Sequence, residues 1–174
     1  FLDKRRAVLD GVCVTGGEPL LQPDLEDFLR EIKRRDFAVK LDTNGSLPDR
    51  LRTLTSRGLV DYVAMDIKNA PSRYAETAGL PRMDLSPLSK SIRYLLAGRV
   101  EYEFRTTVVR ELHTRSDLED IGRWIEGASR YYLQSFVASD QVLSPGLHPC
   151  SPVELTELRE AVRPYVKEVH LRGV

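Results

Sequence analysis

Cysteine is scarce in this chain of 174 residues, which contains only two, Cys13 and Cys150. So few cysteines argue against the disulfide framework of a small secreted protein. No apolar run reaches the roughly 20 residues that a membrane-spanning helix needs, and no secretory signal is recognisable. We therefore expect a cytoplasmic protein that has no membrane partner.

An excess of charge of one sign is also absent, because 26 basic residues balance 26 acidic ones. A neutral chain has no electrostatic reason to bind nucleic acid or an anionic membrane. The length predicts a single domain over residues 1–174. No initiator methionine precedes Phe1, and the first residues have the pattern of a helix end, so we expect this domain to be incomplete on its N-terminal side.

Short β-rich runs alternate with helical patterns along the whole chain. Strict alternation predicts an α/β fold with a parallel sheet covered by helices, either a doubly wound sheet or a barrel. Five or six such units are too few to close an eight-stranded barrel, so an open, partial barrel is one candidate. The predicted strands are residues 12–15, 37–45, 61–68, 101–109, 131–137 and 166–174.

Capping signals and apolar stripes place helices between these strands. We predict that the first helix begins at Pro23 and that the second covers residues 48–57, ending at Gly58 in a left-handed conformation. A further helix follows in residues 88–96. Two later helices are predicted to begin with capping boxes, one formed by Ser116 and Glu119 and the other by Ser151 and Glu154.

Polar residues end most of the predicted strands. In parallel βα folds the functional site lies at the carboxyl ends of the strands, so several polar ends in succession predict a site there. The polar ends are Thr15-Gly16-Gly17-Glu18-Pro19, Asp42-Thr43-Asn44-Gly45, Met65-Asp66-Ile67-Lys68, Arg105-Thr106-Thr107 and Gln134-Ser135-Phe136.

Each of these polar ends also has a purely structural interpretation. Two glycines let a backbone approach a ligand closely and Glu18 offers a carboxylate to an ammonium group, yet a tight turn with Glu18 facing solvent has the same residues. Asp-Thr-Asn-Gly is ordinary turn chemistry. Asp66 and Lys68 lie on the same face of a strand and could form a surface ion pair, although an acid in an apolar strand is costly unless it has a partner.

The order of the motifs is more specific than any one of them. The segments TGGEPLLQPDLEDFLREIK, VKLDTNGS, DYVAMDIK and YEFRTTVV, the last followed by LHT, resemble the radical S-adenosylmethionine (SAM) family. They are similar to the activating proteins of glycyl radical enzymes, and most of all to the anaerobic ribonucleoside-triphosphate reductase activating protein. The resemblance covers nearly the whole chain and implies an open, partial TIM-like barrel of parallel strands with outer helices, here lacking its first βα unit.

The resemblance also implies an activity and a set of partners. In such activases a one-electron reductant feeds a [4Fe–4S] cluster, SAM is cleaved reductively, and the resulting 5′-deoxyadenosyl radical takes a hydrogen atom from a glycine of a partner enzyme. The implied partners are therefore a glycyl radical enzyme, such as an anaerobic ribonucleotide reductase, and the reductant.

The resemblance further implies which residues hold SAM. Gly16, Gly17 and Glu18 would bind its amino group, and Lys68 would pair with its carboxylate. In some activases the matching acids also hold a monovalent cation, which here implies Asp42, Thr43 and Asp66 as its ligands. The complete set of implied cofactor-binding residues is Gly16, Gly17, Glu18, Pro19, Asp42, Thr43, Asn44, Asp66, Lys68, Arg105 and Gln134.

The hallmark of the family, C-x-x-x-C-x-x-C, does not occur in this sequence. Thiolates hold such clusters, and Cys13 and Cys150 have no neighbouring thiol at short spacing. The family places the motif before the Gly-Gly-Glu-Pro strand, so we expect it to precede Phe1; a degenerate family member is the alternative. The three histidines have no metal-binding spacing, and His113, which could orient a loop, is left without a role.

Two rival functions stay open. One is a radical SAM enzyme acting on a small molecule, like the 7-carboxy-7-deazaguanine synthases, which also carry Thr-Gly-Gly-Glu-Pro. The other is a SAM-binding scaffold without catalysis. The aspartate of Asp-Thr-Asn-Gly and the Asp-Ile-Lys sequence resemble the activases more closely.

Overall fold

The computed structural model describes residues 1–138, 142 and 146–174. These residues divide into two compact units: the first is Phe1–Asp66 with Ser86–Tyr102, and the second is Ile67–Leu85 with Glu103–Val174. The segment between the strand predicted at residues 131–137 and the helix predicted to begin at Ser151 therefore lies partly outside the described residues. The single domain over residues 1–174 stays a prediction.

Strands and helices alternate as the sequence predicts. Three parallel strands in the order β1-β2-β3 form the sheet of the first unit, and three more in the order β4-β5-β6 form that of the second. The strands are β1 (Gly11–Val14), β2 (Ala38–Thr43), β3 (Tyr62–Asp66), β4 (Glu101–Val108), β5 (Arg130–Ser135) and β6 (Glu168–Arg172). The helices are α1 (Leu25–Lys33), α2 (Pro48–Ser56), α3 (Tyr74–Thr77), α4 (Ser86–Leu96), α5 (Arg115–Trp124) and α6 (Pro152–Val162).

The core of the first unit forms between one face of its sheet and its helices. Val39 and Leu41 of β2 are buried, as are Leu29 and Ile32 one turn apart on α1. Successive side chains of a strand point to opposite faces, so Asp42 points away from this core. The apolar face thus fixes which polar side chains face outward at the strand ends.

The second unit follows the same rule. Phe104 of β4 lies in register with Tyr131 of β5, and both are fully buried. Arg105 lies in register with Tyr132, and it therefore shares the opposite, more polar face with Gln134 two residues further along β5. The buried side chains of α5 and α6, such as Leu118, complete the core.

Several predicted boundaries are wrong by one or two residues. The first helix begins at Leu25 and not at Pro23, and the N-terminal segment forms a 3₁₀ helix over Leu2–Arg5. Gly58, predicted to end the second helix in a left-handed conformation, does have a positive φ of +67°, and Gly98 after α4 has the same value. Among the described residues no helix is long and apolar enough to cross a membrane.

The predicted capping box of Ser116 and Glu119 is also wrong. The box that forms consists of Thr114 and Asp117, which are three positions apart like Ser116 and Glu119 but lie two positions earlier in the chain. Thr114 has an extended backbone and its hydroxyl accepts from the Asp117 N–H, so the helix begins at Arg115. The second predicted box, Ser151 with Glu154, is confirmed.

Candidate functional site

Glu18 joins the turn after β1 to the end of β2. Its Oε1 accepts hydrogen bonds from the Leu20 N–H (3.1 Å) and the Thr43 hydroxyl (2.8 Å), and its Oε2 accepts one from the Asn44 N–H (2.7 Å). A carboxylate has about four acceptor positions. Three are therefore used inside the protein, and the remaining one, on Oε2, can take a donor from a ligand.

The two glycines before Glu18 have different reasons to be glycine. Gly16 has a φ of +133°, which favours glycine, whereas Gly17 has no such constraint. A Cβ at either position would meet nothing within 4 Å, so neither glycine is required by contact with the protein. Both line a cavity of about 340 Å³. The remaining lining residues are Val14, Thr15, Glu18, Pro19, Gln22, Asp24, Leu25 and Phe28.

The Asp-Thr-Asn-Gly turn after β2 is held by its own hydrogen bonds and by one from α4. The Thr43 hydroxyl accepts from the Gly45 N–H (3.1 Å) while it donates to Glu18, and the Ser91 hydroxyl donates to the Gly45 carbonyl (2.7 Å). Ser91 is fully buried. The sequence contains no local signal for this contact, because Ser91 is one of several polar residues in a helical pattern.

Asp42 points to the other face of β2, away from Thr43. Its Oδ1 lies 3.8 Å from the Lys40 Nζ and 3.7 Å from the Cys13 sulfur. The Thr43 hydroxyl donates to Glu18 and accepts from the Gly45 N–H, so its oxygen keeps one lone pair for a further contact. Half-buried Asp66 ends β3 on the same face as Asp42, because Asp42 is in register with Ala64.

Lys68 has an exposed side chain on a firmly held backbone. The residue before it is bonded on both sides: the Ile67 N–H donates to the Arg105 carbonyl (2.8 Å), and the Thr106 hydroxyl donates to the Ile67 carbonyl (2.6 Å). The carbonyl of Lys68 itself lies 2.9 Å from Nε2 of His113. The lysine side chain therefore leaves a fixed point of the backbone.

His113 is buried, and both of its ring nitrogens contact backbone groups. Nδ1 lies 3.1 Å from the Val109 N–H, which donates to it, and 3.2 Å from the Val109 carbonyl, while Nε2 faces the Lys68 carbonyl at 2.9 Å, which can only accept. Burial lowers the pKa of His113 below the ordinary value of 6.5. The Val109 carbonyl already accepts from the His113 backbone N–H (3.0 Å), whereas the Lys68 carbonyl needs a donor, so we place the ring proton of the neutral histidine on Nε2.

The two cysteines do not fit an iron–sulfur cluster. Cys13 is exposed and Cys150 is buried, where desolvation raises the pKa of its thiol. Across residues 1–138, 142 and 146–174 no group of three or more histidine, cysteine, aspartate or glutamate side chains could hold a metal ion. We therefore assign no step of a reaction to a cluster on these residues.

Comparison with known proteins agrees with the strand-end motifs. The family model of the Radical SAM superfamily matches residues 2–125. The chain belongs to the radical SAM superfamily, a family of enzymes that implies SAM and an iron–sulfur cluster as cofactors.

Within that family the chain is similar to two curated relatives. It is 31% identical over 172 residues to a Methanocaldococcus jannaschii protein provisionally named a glycyl-radical enzyme activating enzyme, which covers 95% of this chain and 71% of that protein. It is 34% identical over 137 residues to the 7-carboxy-7-deazaguanine synthase of Methanopyrus kandleri, covering 76% of this chain and 50% of that enzyme.

A solved structure confirms the fold class. A domain of the pyruvate-formate lyase-activating enzyme of Bacteroides vulgatus matches with a TM-score of 0.75, covering 94% of this chain and 99% of that domain. At 15% sequence identity this likeness shows the fold alone. The prediction of parallel strands with outer helices in an open, partial barrel of the radical SAM type is thus confirmed.

Proposed function

We propose that this chain is the SAM-binding part of a radical SAM activase that generates a glycyl radical on a partner enzyme, such as an anaerobic ribonucleotide reductase. The proposed setting is the cytoplasm, with a one-electron reductant as second partner. The observation that carries the proposal is the Glu18 carboxylate, which joins two family motifs and keeps one acceptor position for a ligand ammonium. The similarity to a glycyl-radical enzyme activating enzyme supports the choice of activase.

In this proposal Glu18 accepts the ammonium of SAM, and the backbone at Gly16 and Gly17 comes close to its methionine part. A charge-assisted hydrogen bond from an ammonium is short and strong, so this contact fixes one end of the ligand. The open space beside Gly17 supports it, because any side chain there would project into that space.

Other residues of the proposed site continue the same assignment. Lys68 pairs with the carboxylate of SAM, and Arg105 and Gln134 contact the remainder of the ligand. Pro19, Asp42, Asn44 and Asp66 complete the set. A monovalent cation would be held by oxygen atoms of Asp42, Thr43 and Asp66, since hard cations prefer oxygen ligands.

SAM supplies the radical in enzymes of this family; the residues of this chain bind it, orient it and separate its charged groups. The described residues offer no three-thiolate set, so electron transfer is not assigned to them.

The first test is the activity of the full-length gene product. After anaerobic reconstitution with iron and sulfide, it is incubated with dithionite, SAM and an anaerobic ribonucleotide reductase. We expect a glycyl radical signal in the electron paramagnetic resonance spectrum of the reductase and release of 5′-deoxyadenosine. Formation of 7-carboxy-7-deazaguanine without any glycyl radical would contradict the proposal and favour a function like that of the 7-carboxy-7-deazaguanine synthase relative, whose 34% identity keeps it the second candidate.

The second test addresses the site. Lys68→Met should weaken SAM binding by roughly 1.5–3 kcal/mol, about ten- to a hundredfold in affinity, because one charge-assisted contact is lost. Calorimetry measures the affinity. The matched control is Lys167→Met, which removes another exposed lysine of the same unit. Equal affinity in the wild type and Lys68→Met would remove Lys68 from the site.

A further inference from the structure

We propose that His113 is a positioning residue for Lys68: its Nε2–H holds the Lys68 carbonyl and so fixes where the lysine side chain leaves the backbone. The inference rests on the proposed function, in which Lys68 pairs with the carboxylate of SAM. It assigns a role to a buried histidine for which the sequence alone indicates none.

The first support is the placement of the contact. Lys68 lies beyond the end of β3, where no strand ladder holds its carbonyl, and the only partner described for that carbonyl is His113 Nε2, at 2.9 Å. A lysine has a long, flexible stem. Such a side chain reaches a defined position only if its backbone is fixed. The hydrogen bond from His113 to the Lys68 carbonyl therefore affects the proposed contact between the Lys68 ammonium and SAM.

The second support is that His113 is itself held in one orientation. Its Nδ1 accepts from the Val109 N–H four residues earlier, and its side chain is buried, with a residue exposure of 5%. Burial lowers the pKa of the ring and keeps it neutral. A neutral ring with one acceptor and one donor matches the Val109 N–H and the Lys68 carbonyl and cannot rotate without losing both.

A second layer of contacts ties the same two turns together. Asn69 is fully buried, and its Nδ2 donates to the Leu112 carbonyl (2.8 Å) while its Oδ1 accepts from the Ala70 N–H (2.7 Å). Arg73 donates to the same Leu112 carbonyl (2.9 Å) and to Asp117 (2.9 Å). These bonds should keep the turn folded when His113 is changed. A His113 variant can therefore release the Lys68 carbonyl without unfolding the unit.

Two substitutions separate the two bonds of His113. In His113→Gln the side-chain amide can still donate to the Lys68 carbonyl, but the acceptor for the Val109 N–H is lost. In His113→Asn the shorter side chain can still accept from the Val109 N–H, but the donor to Lys68 is lost. Each variant removes one buried hydrogen bond, so each is the stability control of the other.

The test measures SAM affinity by calorimetry and thermal unfolding for both variants in the full-length, reconstituted protein. We expect His113→Asn to weaken SAM binding roughly two- to tenfold, the lower part of the range of couplings between contacting residues, while His113→Gln keeps the wild-type affinity. In the Lys68→Met background, His113→Asn should have no further effect on affinity, because the side chain that it positions is gone.

The outcomes distinguish the inference from the proposed function. If the wild type binds no SAM, the proposed function fails and the inference fails with it. If the wild type binds SAM but Lys68→Met leaves the affinity unchanged, Lys68 does not belong to the site and the inference alone is overturned. If Lys68→Met weakens binding but His113→Asn and His113→Gln behave alike, or His113→Asn adds its full effect to Lys68→Met, only the positioning role is overturned.

A measurement on the unmodified side chain covers the case in which His113→Asn does not fold. In protein labelled with ¹⁵N-histidine, the Nε2 resonance of His113 reports its bond to the Lys68 carbonyl. Addition of SAM should shift this resonance in the wild type but not in Lys68→Met. An unchanged resonance in the wild type at saturating SAM would overturn the positioning role.

Discussion

The turns of the two units hold their proposed ligand residues in opposite ways. In the first unit, the proposed ligand residue is itself the tie: the Glu18 carboxylate accepts three hydrogen bonds that join two turns. In the second unit, the proposed ligand side chain of Lys68 is exposed and its backbone is held by Thr106 and His113. Changing Glu18 therefore disturbs the fold and the ligand contact together, whereas changing Lys68 should disturb only the ligand contact.

A carboxylate and an ammonium serve a binding site in different ways. A carboxylate accepts several backbone donors at the start of a helix or turn, so it can hold structure and still bind a ligand. An ammonium only donates and keeps its own water shell, so it is better placed on a backbone that other residues hold. The predictions below test this contrast, beginning with the largest effect.

The 174-residue chain has only two cysteines, Cys13 and Cys150, and neither lies in the turns that carry Glu18 and Lys68. This chain should therefore bind no iron–sulfur cluster and cleave no SAM. The expected loss is complete, because thiolates are the ligands of such clusters. Anaerobic reconstitution followed by iron analysis and chromatography for 5′-deoxyadenosine checks both points. Stoichiometric cluster iron on this chain would show that other side chains replace the missing thiolates.

Gly45→Ala should destabilise the first unit strongly. Gly45 has a φ of +75°, and an added Cβ would overlap the terminal methyl group of buried Met65. We expect a loss of about 1–2 kcal/mol from the backbone strain and roughly 1–3 kcal/mol more from overpacking, measured by chemical denaturation.

Gly58→Ala is the control for Gly45→Ala. Gly58 has a similar φ of +67°, but a Cβ there would meet nothing within 4 Å. It should therefore show only the backbone strain. Equal losses in the two variants would mean that the Met65 side chain or the turn after β2 shifts to make room for the Cβ, so that the packing between them is less rigid than the close approach indicates.

Glu18→Gln should lower the stability of the fold as well as the affinity for SAM. Glu18→Gln replaces one carboxylate oxygen with an NH₂ group, which only donates. That NH₂ group then faces an N–H or O–H that also donates, so at least one hydrogen bond is lost, which costs roughly 1–3 kcal/mol. Thermal unfolding and calorimetry are measured together, and Glu157→Gln on the exposed side of α6 is the control. A loss of affinity at unchanged melting temperature would break the contrast between Glu18 and Lys68.

The buried His113 should make the free energy of unfolding decrease as the pH falls. Burial lowers its pKa in the folded state below 6.5, so the unfolded chain binds the proton first, and the free energy of unfolding decreases as pH falls below about 6.5. The slope from this group reaches about 1.4 kcal/mol per pH unit. The free energy of unfolding, measured by chemical denaturation at several pH values between 7.5 and 5, should change less with pH in His113→Gln than in the wild type. The same pH dependence in both proteins would mean that His113 titrates normally in the fold.

Much of the fold was predictable because its signals are local. Strand and helix alternate with periods that can be counted over a few residues, and this pattern predicted the six strands, five of the helices and the parallel arrangement. Boundaries were less predictable. The capping spacing occurs twice near the start of α5, and Thr114 rather than Ser116 forms the box because its backbone is extended there.

Ordered motifs at strand ends are local and specific, so they were enough to predict the family and the positions of the polar strand ends. Which side chains hold those motifs depends on the tertiary structure. Ser91 reaches the Gly45 carbonyl across 46 positions and His113 reaches the Lys68 carbonyl across 45. Such pairs depend on how helices and turns pack against strand ends, and a hydrogen bond between residues so far apart leaves no periodic pattern in the chain.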